Sequence, residues 1–177
     1  GNSSRASSNT GGASGIGRAV ANRLASEGAA ILVADIDAEG GIVTEAMITE
    51  AGGQAMARAL DVRDRASIRS AANDAVTEFG RIDALVNCAG LVTMSSLDEL
   101  TEDEWDLVLD VNLKGTWLTT QEVARDIAAA GGGAVVNIST IEAEVVVSSR
   151  GHCQVHYNAS KGGVKMLTKA LAVELSR

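Results

Sequence analysis

The sequence predicts an α/β protein, one parallel sheet with helices packed on both of its faces. Three observations carry this: unbroken apolar runs of strand length, helical apolar spacing between those runs, and short connections joining them. Helices on both faces hide a parallel sheet from water, so its strands read as continuous hydrophobic runs rather than as alternation.

The elements follow in order. Thr10, Gly11, Gly12, Ala13, Ser14, Gly15, Ile16 and Gly17 form a glycine-rich turn opening a helix whose apolar face is Ile16, Val20 and Leu24. Residues 29–34 are an apolar run ending at Asp35, the pattern of a strand buried on both faces. Residues 55–62, 84–87 and 134–138 repeat that form. Ile68, Ala71, Ala72, Ala75, Val76 and Phe79 recur at three- and four-residue steps and stop at Gly80, a helix ending. Trp105, Val108, Leu109, Asn112, Leu113, Thr116 and Trp117 mark a longer helical segment, and Val164, Leu167, Leu171 and Leu175 mark the last. No internal repeat or linker divides the chain, and 177 residues suit a single domain, 1–177.

Composition narrows the function classes. Apolar residues make up 46% and charged residues 21%, which is globular. The net charge of −8 repels phosphate backbones and anionic lipid, so neither nucleic acid nor a membrane surface is an expected partner. No apolar run approaches the roughly 18 residues of a membrane span. The first residues lack the apolar segment of a signal peptide. Two cysteines, Cys88 and Cys153, make no disulfide framework, and the expected compartment is the reducing cytoplasm.

Gly11, Gly15 and Gly17 are spaced T-G-x-x-x-G-x-G. Glycines there let backbone N–H groups approach a pyrophosphate, and the helix N-terminus adds partial positive charge. A tight turn is the plainer reading of the same residues. Asp35, at the carboxyl end of the next strand, can accept hydrogen bonds from ribose hydroxyls and would repel a 2′-phosphate. Tyr157 and Lys161 stand four residues apart and share one helix face. A phenol with a pKa near 10 is a poor base, but an adjacent ammonium favours the phenolate. His152, Cys153 and His156 offer no further ligand at a matching spacing, so they are read as loop residues and no metal is expected.

Tyr157 and Lys161, the turn from Thr10 to Gly17, the tetrad Asn87, Cys88, Ala89 and Gly90, and the run Val111, Asn112, Leu113, Lys114 and Gly115 together resemble the short-chain dehydrogenase/reductase family. The resemblance runs from Thr10 to the end of the chain, with the motifs in the family's order. It implies a Rossmann-like, doubly wound three-layer fold and hydride transfer between NAD(H) and a secondary alcohol or ketone. Tyr157 would give or take the proton, Lys161 would lower its pKa and bond the nicotinamide ribose, and Asn112 would hold a relay water. The substrate-orienting hydroxyl falls on Thr140, with Ser139 the other candidate, because the segment before Tyr157 is longer than the family's. Gly11, Ser14, Gly15, Ile16 and Gly17 would cradle the cofactor. Asp61 and the Val62 backbone would meet adenine, with a helix cap the plainer role for Asp61. Asn87, Ala89 and Gly90 would underlie the cofactor ribose. Asp35, and Ser14 where phosphate-preferring relatives carry a basic residue, imply NAD rather than NADP. A homodimer or homotetramer through residues 102–130 and 157–176 is the implied assembly. A nucleotide-binding protein without turnover, or an inactive fragment of such an enzyme, are the alternatives.

The two ends depart from that pattern. Asn2, Ser3, Ser4, Arg5, Ala6, Ser7, Ser8 and Asn9 stand where the resemblance implies an apolar central strand. Each aliphatic side chain absent from a core forfeits about 1.5–3 kcal/mol, so an atypical first strand is expected. Beyond Arg177 the family continues with two more strands and a substrate-covering loop, so a partial sequence is expected.

Overall fold

The computed structural model describes residues 5–148 and 153–176. Asn2, Ser3, Ser4, His152 and Arg177 lie outside the described residues. In chain order the elements are β1 (Ala6–Thr10), α1 (Gly15–Ser26), β2 (Ala30–Asp35), α2 (Ala38–Glu50), β3 (Gln54–Ala59), α3 (Arg65–Phe79), β4 (Ala84–Asn87), α4 (Glu102–Leu109), α5 (Gly115–Ala129), β5 (Ala134–Asn137) and α6 (Val155–Leu175). A π-helical turn, Asp110–Lys114, joins α4 to α5, and a 3-10 turn, Ile141–Ala143, follows β5.

All pairings are parallel, and the strand order is β3-β2-β1-β4-β5. The order reverses at β1, between β2 and β4, and the crevice beyond the carboxyl ends of strands at such a reversal is where these sheets bind ligands. Register brings the relevant residues level there: Thr10 lies beside Ala34 and Asn87, and Asn87 beside Asn137.

β2 is apolar throughout because both its faces are covered. Ile31 and Val33 pack with Ala21, Ala25 and Ile48 from α1 and α2. Leu32 and Ala34 point the other way, into a larger core with Ile68, Ala72, Ala75, Leu85 and Leu118. The buried stripe of α1 is Gly17, Ala21 and Ala25, small residues that bring the helix close to the sheet. This corrects the expected packing face: Ile16 is 63% exposed, while Leu24 packs at the margin of the core. The α3 helix starts at Asp64, whose carboxylate accepts from Ala66 N–H, and stops at Gly80, which is left-handed at φ 80°. Asp64 thus takes the cap role that Asp61 was a candidate for. The long helical segment runs on through the π-helical turn without leaving helical backbone, and His156 lies within α6 rather than in the loop before it. No helix among the described residues is long and apolar enough to cross a membrane.

The polar stretch does supply the central strand, atypical as expected. Every residue of β1 is buried, and it pairs on both sides. Backbone bonding is indifferent to side-chain type, and part of the polar content is satisfied locally. Thr10 Oγ1 accepts from the N–H groups of Cys88 and Ala89, both at 3.2 Å, and Asn9 Nδ2 donates to Gly17 O at 2.7 Å. Ser7 Oγ and Asn9 Oδ1 are buried without a partner among the described residues. An unpartnered buried polar group costs about 1–3 kcal/mol, so Ser7→Ala should stabilise the chain by about that amount. Urea unfolding measures it, and a lower midpoint for the variant would show that the hydroxyl contributes a bond.

Candidate active site

The glycine turn is built by close approach. Gly11 is left-handed at φ 69°, and a Cβ on it would stand 2.7 Å from the backbone nitrogen of Ala89. A Cβ on Gly17 would fall on the carbonyl oxygen of Gly11. Gly15 is also left-handed, at φ 50°, with open space around it. Ser14 precedes α1 but its side chain makes no cap bond, so the first N–H groups of that helix are free to meet an anion. Together these form a cradle that any side chain at Gly11 or Gly17 would fill. It opens into a cleft of about 460 Å³ bounded by Gly11, Ser14, Gly15, Ile16, Gly17, Asp35, Asp61, Val62, Ala89 and Gly90.

Asp35 is fixed at one side of this cleft. Its Oδ2 accepts from Ala13 N–H at 2.9 Å and its Oδ1 from Asp37 N–H at 3.0 Å. Asp61 faces the same space in a forked pair with Arg63, 2.7 Å at the closest approach. The Arg63 guanidinium and N–H hold the Asp61 carboxyl below its ordinary value, against a weaker opposing effect of burial. Sequence reasoning missed Arg63, along with Leu107 and Val111, which reach the cleft from α4 and the π-helical turn. The charge alternation beside Asp61 was the available signal for Arg63, and the run from Val111 to Gly115 was the signal for Val111; nothing local marked Leu107.

Asn87 stands behind the cleft. Its Nδ2 donates to Asn137 Oδ1 at 2.8 Å and to Thr120 Oγ1 at 3.2 Å, and Asn137 Nδ2 continues to Thr168 Oγ1 at 2.9 Å. This chain ties β4 and β5 to α5 and α6. Asn112 sits on the π-helical turn, whose extra residue re-aims side chains relative to an α-helix. It is fully buried; its Oδ1 accepts from Leu91 N–H at 2.8 Å, and its Nδ2 donates to Leu91 O at 2.9 Å and Ser160 Oγ at 3.1 Å.

Lys161 is buried, and its Nζ donates to Ile138 O at 2.9 Å. The same Nζ lies 5.9 Å from the centre of the Tyr157 ring. A Cβ on Gly90 would be 3.2 Å from Asn112 Oδ1 and 3.4 Å from Lys161 Nζ, so this glycine is the point where cleft, π-helical turn and α6 converge. Burial pushes the Lys161 ammonium below its ordinary pKa, and burial pushes the Cys88 thiol up. Ser139 Oγ donates to Lys161 O at 3.0 Å, binding β5's end to α6. Among the described residues Thr140 Oγ1 accepts only a long bond, 3.4 Å, from Glu142 N–H. Among the described residues no group of three or more His, Cys, Asp or Glu side chains converges as a metal site would need.

A parallel sheet ordered 3-2-1-4-5, with a glycine cradle at the reversal and helices on both faces, defines a Rossmann-like α/β protein. The profile of the short chain dehydrogenase family matches residues 9–177, and the chain belongs to that family. It is 44% identical over 168 residues to a D-threitol dehydrogenase of Mycolicibacterium smegmatis, covering 93% of this chain and 62% of that protein. A cyclopentanol dehydrogenase of Comamonas sp. is 36% identical over 167 residues, covering 94% of this chain and 65% of that protein. A putative short-chain alcohol dehydrogenase from Sinorhizobium meliloti 1021 superposes with a TM-score of 0.91 at 36% identity, over 98% of this chain and 68% of that one. The chain therefore spans a little under two thirds of the length of these two curated relatives. Family membership implies a nicotinamide dinucleotide, NAD or NADP, as cofactor.

Proposed function

We propose that this chain carries the cofactor site and the proton-transfer group of an oxidoreductase that interconverts secondary alcohols and ketones with NAD(H). The observation that carries the proposal is the convergence at Gly90, where the glycine-cradled cleft meets Lys161 and the helix bearing Tyr157. The cradle fits a pyrophosphate, and Asp35 stands at the side where an adenosine ribose would lie. The nicotinamide, when bound, supplies or accepts the hydride. Tyr157 moves the matching proton to or from the substrate oxygen, and the Lys161 ammonium stabilises its phenolate. Asn112 holds Leu91 and Ser160 in place beside Lys161 and supports the relay. Thr140, with its hydroxyl less engaged than that of Ser139, orients the substrate oxygen. Self-association through residues 102–130 and 157–176 belongs to the same proposal, supported by the exposure of Met166 and Val173 on α6.

NAD is preferred over NADP in this proposal. The Asp35 carboxylate repels a 2′-phosphate, and Arg63, which borders the cleft, is already paired with Asp61. Wild type should use NAD with at least a roughly tenfold higher kcat/KM than NADP, a difference of about 1.4 kcal/mol. Asp35→Ala should narrow that gap. Steady-state assays with threitol and cyclopentanol, the alcohols named for the two relatives, measure it with both cofactors. Equal or better use of NADP by the wild type contradicts the assignment.

A further inference from the structure

Residues 91–95 leave β4 and wall the cleft at Leu91, and alternate residues of this segment are pinned. Asn112 takes both backbone groups of Leu91. Thr93 Oγ1 lies 2.8 Å from His156 Nε2, and Ser95 Oγ donates to Glu104 Oε1 at 2.6 Å. Val92 and Met94, between the pins, are exposed. Of these anchors His156 is the one that precedes Tyr157, and its imidazole is completely buried.

The direction of the bond follows from burial: among the described residues nothing meets His156 Nδ1, so a hydrogen placed there would be orphaned. His156 Nε2 therefore bears the hydrogen. Nδ1, buried and without a partner among the described residues, is left as a bare lone pair, which costs less than an orphaned N–H. The donors around Glu104, Ser95 foremost, hold its carboxyl below the ordinary value and keep it charged.

We infer that His156 is a positioning residue: the bond from Nε2–H to the Thr93 hydroxyl fixes the first turn of α6, and Tyr157 with it, against the cleft wall. The inference rests on Tyr157 being the proton-transfer group proposed above. A buried hydrogen bond with its donor set has one arrangement, which is what a reacting group needs from its support. Protonating His156 would place an N–H at Nδ1 with no acceptor. Burial accordingly pushes its pKa below the ordinary value, with Glu104 on α4 opposing in part. Since the folded pKa is the lower one, this stabilisation is complete above the unfolded value of about 6.5 and is lost as pH falls through the folded value.

The test uses the full chain, whose two histidines make imidazole NMR readily assignable. His156 should show the Nε2–H tautomer and titrate below the ordinary histidine value of about 6.5. Thr93→Val should abolish the tautomer preference and lower kcat by roughly tenfold with NADH affinity unchanged, and Thr93→Ser should restore both. An Nδ1–H tautomer, a midpoint at or above about 6.5, or an unaltered kcat in Thr93→Val overturns the inference alone. Substantial turnover in Tyr157→Phe overturns the proposed function and the inference with it, while the tautomer result stays as measured.

Discussion

Tyr157→Phe should lower kcat by roughly a hundred- to ten-thousand-fold while NADH affinity stays within a few-fold of wild type. The substitution removes one oxygen from a half-buried ring on α6 and leaves the helix, the Lys161 bond to Ile138 and the glycine cradle intact. Only the group proposed to exchange a proton in the transition state is lost, so the effect falls on turnover rather than on binding. Stopped-flow oxidation of NADH with a ketone, beside a fluorescence titration of NADH, separates the two. Near-normal kcat in the variant would assign the proton to another group. Lys161→Ala, by contrast, should damage both quantities, because in this proposal the ammonium acts on Tyr157 and, beside Gly90, also meets the nicotinamide ribose.

Gly17→Ala should nearly eliminate dinucleotide binding and lower the thermal midpoint. The added methyl would occupy the position of the Gly11 carbonyl oxygen, a backbone atom with no rotamer in which to retreat. Relief requires α1 to move off the turn, yet Gly11 is itself packed against Ala89, so the displacement spreads to both walls of the cradle. Overpacking of this kind costs about 1–3 kcal/mol in stability, and the loss of the anion-facing N–H groups comes on top for the ligand. Gly162→Ala is the matched control. Its Cβ meets nothing within 4 Å, and alanine in a helix is favoured over glycine, so that variant should melt no lower than wild type. Equal behaviour of the two variants would show that the turn is not the cradle.

Much of this architecture was legible because the sheet is hidden on both sides. The runs at β2 and β4 could be read directly, and Gly80 announced the end of α3. The strand at β3 was read too long, to residue 62, because Leu60 and Val62 stay buried beneath the cleft after the ladder ends at Ala59. The α2 helix left no clear stripe. Its inward residues are Gly41, Thr44 and Ile48, while Ile42, Val43 and Met47 face outward. A first strand made of Ala6, Ser7, Ser8, Asn9 and Thr10 is held by its two neighbours and by bonds to Gly17, Cys88 and Ala89, which no local pattern encodes. In the site, the glycine turn and Asp35 were legible because their geometry is local. The pairing of Asp61 with Arg63 was within reach, whereas the bond from Ser139 to the Lys161 carbonyl and that from His156 to Thr93 depend on segments brought together only by folding.

The placement of a dinucleotide along this cleft is tested most directly by a crystal structure of the protein with NADH. The adenosine ribose hydroxyls should lie within about 3 Å of the Asp35 carboxylate, the pyrophosphate on the N–H groups at Gly15 to Gly17, and the nicotinamide ribose beside Tyr157 and Lys161. A dinucleotide bound elsewhere, or bound with its nicotinamide away from Tyr157, would contradict the account.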